Sequence, residues 1–176
     1  MKPLSKAVFL DRDGTINQSP PEGWYITSAR EFHLLPGATE AIARLYKNGF
    51  LVFVVTNQRC IARGIVSAEV LSQIHERLIN EVSQADGRIE QIYVCPHETA
   101  DDCECRKPKP GMLLQAAREH QLDLSQCWMV GDTASDVAAG HEAGCRTVYI
   151  GQASGLQADF RVPNILEAAQ IILAQS

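Results

Sequence analysis

Ala7-Val8-Phe9-Leu10-Asp11-Arg12-Asp13-Gly14-Thr15 sets four apolar residues directly before two carboxylates. Four consecutive apolar side chains that end at a polar turn predict a strand buried on both faces. The turn carries the chemistry. Asp11 and Asp13 stand two positions apart, so both can face one ligand if the chain turns between them, and Gly14 supplies the freedom to turn. A carboxylate nucleophile splits ester hydrolysis into formation and breakdown of an acyl phosphate. A second carboxyl group can protonate the leaving oxygen and later act as base toward water.

Outward from this stretch, apolar runs of strand length alternate with segments of helical period. The pattern predicts strands at 7–10, 51–55, 89–94, 128–130 and 145–150. It predicts helices at 38–46, from Ser67 onward, at 110–120, at 134–143 and at 162–174. Ser67 is a favourable N-cap with Glu69 in the first turn. Behind it Val70, Leu71, Ile74, Leu78, Ile79 and Val82 recur at helical spacing. Gly144 is the expected stop for the 134–143 helix. Strands rich in Val, Ile and Leu that alternate with helices predict an α/β fold, a doubly wound parallel sheet covered on both sides. Asp11, Thr56, Cys95 and Asp132 all follow strands, where open α/β sheets bind their ligands. The length of 176 residues suits one domain, 1–176, with no internal repeat and no evident linker.

The formal charge of −5 and the scattered basic residues argue against nucleic acid as a partner. No apolar run approaches the ~20 residues of a membrane span. Residues 1–6 lack a long apolar stretch with a small-residue cleavage site, so the expected location is the cytoplasm and no membrane partner is expected. Six cysteines in a reducing compartment point away from disulfides. Cys60, Cys127 and Cys145 stand apart and read as small buried side chains. Cys95, His97, Cys103 and Cys105 instead supply three thiolates and an imidazole within 11 residues. That is a full tetrahedral set for zinc with no open position, hence a structural site in a loop at 95–109. His33, His75, His120 and His141 have no such partners and read as structural or exposed.

Two further segments bear on phosphate. Gly131-Asp132-Thr133-Ala134-Ser135-Asp136 follows the 128–130 strand, and Asp132 there can bind a hard cation such as Mg²⁺ through oxygen. Asp136 is placed to hold Asp132 or metal-bound waters, or to favour its own helix dipole. A dianion facing Asp11 needs positive charge, which Mg²⁺ and a lysine would supply. Lys107 is the candidate lysine, with Arg106 beside it as a planar fork for a second phosphate. Thr56, Asn57 and Gln58 offer a hydroxyl and amides to phosphate oxygens.

Taken in order, D-x-D-G-T, a Thr after the second strand, a lysine and G-D-x-x-x-D resemble the haloacid dehalogenase-like phosphatase superfamily over nearly the whole chain. The resemblance implies a Rossmann-like sheet. It also implies Asp11 as nucleophile, Asp13 as acid/base, and Thr56 and Lys107 steadying the phosphoryl group. Mg²⁺ would be held by the Asp11 carboxylate, the Asp13 backbone carbonyl and Asp132. Within the superfamily, residues 11–17, Thr56-Asn57-Gln58, Ile61-Ala62-Arg63-Gly64, Cys95-Pro96-His97 and 103–114 resemble the heptose 1,7-bisphosphate 7-phosphatase family. That family implies a cytoplasmic, largely monomeric enzyme acting on a small sugar bisphosphate, with Arg106 in substrate recognition; the length of the chain leaves no room for a separate cap domain. The chain departs from it at Arg59-Cys60, at Thr133 and in the loop at 17–36 with Pro20-Pro21, which bears on the substrate more than on the chemistry. Arg59 and Thr133 therefore join Asn57, Gln58 and Arg106 as candidate substrate contacts. Histidinol-phosphate phosphatase is the nearest alternative, followed by a polynucleotide 3′-phosphatase and a noncatalytic phosphate-binding zinc scaffold.

Overall fold

The computed structural model describes residues 5–153 and 155–176. Residues 1–4, part of the segment read above against secretion, lie outside them. Among the described residues six strands form one parallel sheet. In chain order they are β1 (Ala7–Leu10), β2 (Leu51–Asn57), β3 (Gln91–Cys95), β4 (Trp128–Gly131), β5 (Arg146–Ile150) and β6 (Phe160–Val162). The helices that alternate with them are α1 (Ala38–Lys47), α2 (Ala68–Gln84), α3 (Gly111–His120), α4 (Ala134–Ala143) and α5 (Ile165–Ala174).

The strand order is β3-β2-β1-β4-β5-β6. This is the doubly wound Rossmann order, with its topological switch between β1 and β4. Alternate residues of each strand feed opposite layers, as the pleat demands. Val8, Leu10, Val52 and Val54 pack with Ile42 and Leu45 of α1, Ile74 and Leu78 of α2, and Ile172 of α5. Ala7, Phe9, Phe53 and Val55 pack with Met112 and Leu113 of α3 and Ala139 of α4. Cys127 and Cys145 are buried in this second layer, and Cys60 beneath the turn that leads to α2. No helix of the described residues is long and apolar enough to cross a membrane.

Three expectations are corrected. The closing helix starts at Ile165, not 162, because Asn164 caps it through a bond from the Glu167 amide (2.9 Å). Val162 belongs instead to β6, a three-residue edge strand whose partner is β5. The third strand runs from Gln91 to Cys95 rather than 89–94, set by its pairing to β2. Ile79 is exposed (42%), since the face that α2 buries is the narrower row Leu71, Ile74, Leu78 and Val82.

Candidate active site

β1 ends at the switch point, and the next residue is Asp11. Its amide donates to Val130 O on β4 (2.9 Å), so Asp11 leaves the sheet beside the strand that carries Asp132. The loop then turns tightly. Ile16 N and Asn17 N both donate to Arg12 O, and Gly14 adopts φ +88°. A Cβ at Gly14 would sit 2.0 Å from Asp132 Oδ2, so the absent side chain is what lets the two loops close on each other.

Lys107 reaches this crevice from beyond β3. Its Nζ donates to Asp11 Oδ1 (2.7 Å) and to Val55 O (2.7 Å), and pairs with Asp136 Oδ1 (2.7 Å). Asn57 holds the lysine backbone at both polar atoms. Asn57 Nδ2 donates to Lys107 O (3.0 Å), and Lys107 N donates to Asn57 Oδ1 (3.1 Å). Burial disfavours the lysine charge, but Asp11 and Asp136 outweigh it and hold its pKa above the usual value.

The carboxylates outnumber that lysine. Asp11, Asp132 and Asp136 bring one oxygen each within 4.8 Å of the others. Burial pushes the Asp11 carboxyl up to about 8, with Lys107 pulling the other way and Asp136 adding to the rise. Burial, then Asp136, lifts Asp132 to about 6. Asp132 Oδ1 is buried with no hydrogen-bond partner. Three acids around one ammonium group leave two negative charges uncompensated, the charge of one hard divalent cation held by oxygen. Mg²⁺ fits this donor set on charge, on ligand type and on the orphaned oxygen.

Asp13 turns a different way. Its Oδ1 accepts from Arg12 Nε (3.1 Å) and Nη2 (3.0 Å) and from Asn17 Nδ2 (2.8 Å). Its Oδ2 accepts from Arg12 Nη2 (2.9 Å) and Gln58 Nε2 (2.9 Å). Gln58 also donates to Thr56 Oγ1 (2.8 Å). A cavity of about 160 Å³ gathers Asp11, Asp13, Thr56, Lys107, Thr133 and Asp136. Thr133 there caps α4, its hydroxyl donating to Asp136 Oδ2 (2.6 Å). A second cavity of about 470 Å³ shares Asn57, Lys107 and Ser135 with the first and adds Arg106 and Lys109. A larger one than either, about 600 Å³, lies beyond Gly14 and Thr15 among Leu35, Pro36, Ile150 and Leu166. It is mostly apolar and includes none of the clustered acids or Lys107, so size does not mark the site here.

The structure brings Cys95, His97, Cys103 and Cys105 together. The sulfur atom of Cys103 lies 3.6 Å from that of Cys95 and 3.5 Å from that of Cys105. His97 Nδ1 is 3.7 Å from Cys95 Sγ and 3.3 Å from Cys105 Sγ. Tetrahedral zinc with its usual bond lengths would set S···S at roughly 3.8 Å and N···S at roughly 3.6 Å. The four donors can hold a metal ion. Arg106 Nη1 donates to His97 O (3.1 Å), and Lys109 Nζ bridges Asp102 and Glu104 (2.8 and 3.0 Å).

Arg59 is not among the residues lining either of the two cavities at Lys107 and is held by a partner of its own. Its Nε donates to Tyr25 Oη (3.0 Å), which also accepts from Arg63 Nη1 (3.0 Å), and Arg63 pairs with Glu98. Tyr25, Asn17 and His75 were not among the expected site residues. Asn17 has a signal in its place just past the D-x-D-G-T turn. His75 has none, since nothing in the sequence of α2 ties it to residue 12.

A Rossmann sheet whose switch point carries this lysine-braced acidic crevice defines a hydrolase of the HAD type. The HAD-hydrolase-like family matches residues 104–168. A Pseudomonas aeruginosa D-glycero-beta-D-manno-heptose-1,7-bisphosphate 7-phosphatase is 41% identical over 150 residues, 85% of this chain and 83% of that protein. The Haemophilus influenzae enzyme of the same name is 41% identical over 143 residues, 78% of this chain and 76% of its own length. The crystal structure of D,D-heptose 1,7-bisphosphate phosphatase from B. bronchiseptica, complexed with magnesium and phosphate, superposes with a TM-score of 0.90 at 31% identity. The match covers 98% of this chain and 100% of that one. The chain belongs to the heptose 1,7-bisphosphate 7-phosphatase family of HAD-like phosphatases.

Proposed function

We propose that the chain removes the 7-phosphate of D-glycero-β-D-manno-heptose 1,7-bisphosphate through an aspartyl-phosphate at Asp11, acting over residues 1–176 as one phosphatase domain. The observation that carries the reading is Asp11 Oδ1 held by Lys107 Nζ at 2.7 Å beside Asp132 and Asp136. Lys107 occupies one oxygen and leaves the other to attack phosphorus. The bond to the leaving oxygen breaks with its electron pair, and Asp13 gives that oxygen a proton. Asp13 then takes a proton from the water that attacks the aspartyl-phosphate, and inorganic phosphate leaves. Mg²⁺ on Asp11, Asp132 and the Asp13 carbonyl would supply the charge that lets two anions meet.

Thr56 and Lys107 steady the phosphoryl group, and Asn57 and Gln58 hold Lys107, Asp13 and Thr56 where the reaction needs them. Arg106, with Arg59 and Thr133 at the rim, meets the rest of the substrate. A second cavity that joins the first at Lys107 and carries Arg106 suits a sugar with a further phosphate. The relatives' names supply the heptose and its β anomer. Zinc on Cys95, His97, Cys103 and Cys105 keeps the loop that ends at Arg106 and Lys107 in shape. The reading includes a monomer in the cytoplasm, in keeping with six cysteines of which none is in a disulfide.

The test is phosphate release from both heptose bisphosphate anomers, histidinol phosphate and a 3′-phosphorylated oligonucleotide. The β-heptose ester is expected to give the highest kcat/KM. A preference for histidinol phosphate would replace the substrate and keep the chemistry.

A further inference from the structure

Arg12 sits between the two catalytic carboxylates in sequence, yet its side chain is turned into the protein and is among the largest fully buried ones (1% exposed). A buried guanidinium must place its N–H donors on acceptors. Nε and Nη2 grip Asp13 from the side, at 2.9–3.1 Å. Nη1 meets His75 Nε2 at 3.0 Å, and Cζ lies 6.0 Å from the centre of the Phe32 ring. Arginine offers only donors, so His75 Nε2 must be the acceptor and the ring must be neutral with its proton on Nδ1. Burial, then the Arg12 charge, lowers the His75 pKa to about 4, so the neutral ring persists at physiological pH.

His75 belongs to α2, four residues from Leu71 and three from Leu78, both buried. The chain Leu71/Leu78 to His75 to Arg12 to Asp13 therefore anchors the acid/base carboxyl to a helix packed on the sheet. We infer that His75 and Arg12 are positioning residues for the proton transfer by Asp13, His75 fixing the guanidinium that in turn fixes the carboxyl. The inference rests on the acid/base role given to Asp13 above. Without the acceptor, Nη1 would be a buried donor left unpaired, and Arg12 would turn to satisfy it. Asp13 would then lose the fork that sets its orientation, and misplacement of this order slows a positioned group.

The leaving group reads this directly. Proton donation matters for an alkyl phosphate, whose alkoxide leaves poorly, and much less for p-nitrophenyl phosphate, whose phenolate leaves unaided. The quantity to measure is kcat/KM, which covers steps only up to departure of the alcohol and is blind to the later hydrolysis. His75→Ala is expected to lower the alkyl-to-aryl ratio of kcat/KM by about 10-fold or more, part of the 10²–10⁴ that general acid catalysis supplies. His75→Gln, whose amide oxygen can accept from Arg12, should restore most of the ratio. A fraction of misfolded protein lowers both rates alike, so the ratio does not respond to stability. Asp13→Asn is the control. If it depresses the ratio and His75→Ala does not, or if Gln restores no more than Ala, the positioning role is overturned while the acid survives. If Asp13→Asn lowers both esters equally, the acid assignment fails and the inference falls with it.

Discussion

Lys107 Nζ is shared by Asp11 and Asp136 at 2.7 Å each, and the residue is 4% exposed. A buried charge that loses its partner costs about 3–5 kcal/mol. Removing the lysine would leave three acids with no cation among the residues that touch them. Removing one acid would instead bring the crevice nearer to neutrality. We therefore expect opposite stability effects from two inactive variants. Asp11→Asn abolishes turnover and leaves the metal-free melting temperature equal or higher. Lys107→Met also loses turnover but costs about 3 kcal/mol in denaturant unfolding of the metal-free protein. Residual turnover in Asp11→Asn would remove Asp11 as nucleophile, and a stable Lys107→Met would show that solvent or ions already balance the acids.

Between residue and sheet, the element that matters most is the segment from Cys95 to Lys109. It leaves β3 at Cys95, the first of the four clustered donors, and delivers Arg106 and Lys107 right after the last one, Cys105. Glu104 O lies 2.1 Å from where a Gly111 side chain would start, so the loop is also pressed onto the beginning of α3. Between Cys95 and Lys109 only Cys95 and Lys107 are buried, and a metal ion would add the anchoring that a larger core gives elsewhere. The purified chain should carry one zinc ion. A chelator strong enough to remove it should lower melting temperature and kcat together, the latter by about 10-fold or more. Full activity in zinc-free protein would separate the loop from catalysis. Much of this element was legible beforehand, because thiolates at C-x-H and C-x-C spacing next to Arg-Lys carry their chemistry in residue type. The same holds for Asp11 and Asp132, each read from an apolar run ending in an acid. What escaped was set by contacts distant in sequence. His75 against Arg12 spans 63 residues, and the three residues of β6 form a strand through pairing with β5 rather than through any apolar run. Asn57 and Gln58 were read as offering amides to phosphate oxygens, and the structure also bonds those amides to Lys107, Asp13 and Thr56.

Stability against acid belongs to the whole molecule, and one half-buried ring bears on it. The His75 pKa falls from 6.5 to about 4 through burial and the Arg12 charge, with Asp13 opposing. Between those values the unfolded chain binds a proton that the folded one refuses, so stability falls as pH drops through this window. The loss amounts to at most about 3 kcal/mol, a sizeable share of the 5–15 typical of a domain. Unfolding by denaturant at pH 7 and pH 4.5 should therefore show a smaller drop for His75→Gln than for the native chain. An equal drop would place the acid sensitivity elsewhere.

The sheet order has a consequence for how the chain is made. β1 lies in the middle of the sheet, hydrogen-bonded on one side to β2 and on the other to β4. A ribosome works toward the C-terminus, so Asp11 emerges before β2, and the strand that completes its surroundings is finished only at Gly131. Lys107 and Asp132 emerge later than the carboxylate they complement. Until then the nascent chain holds the Asp11 carboxylate without the groups that face it in the fold. A chain released between β3 and β4 would carry the D-x-D-G-T turn and half a sheet but not the complete acidic crevice.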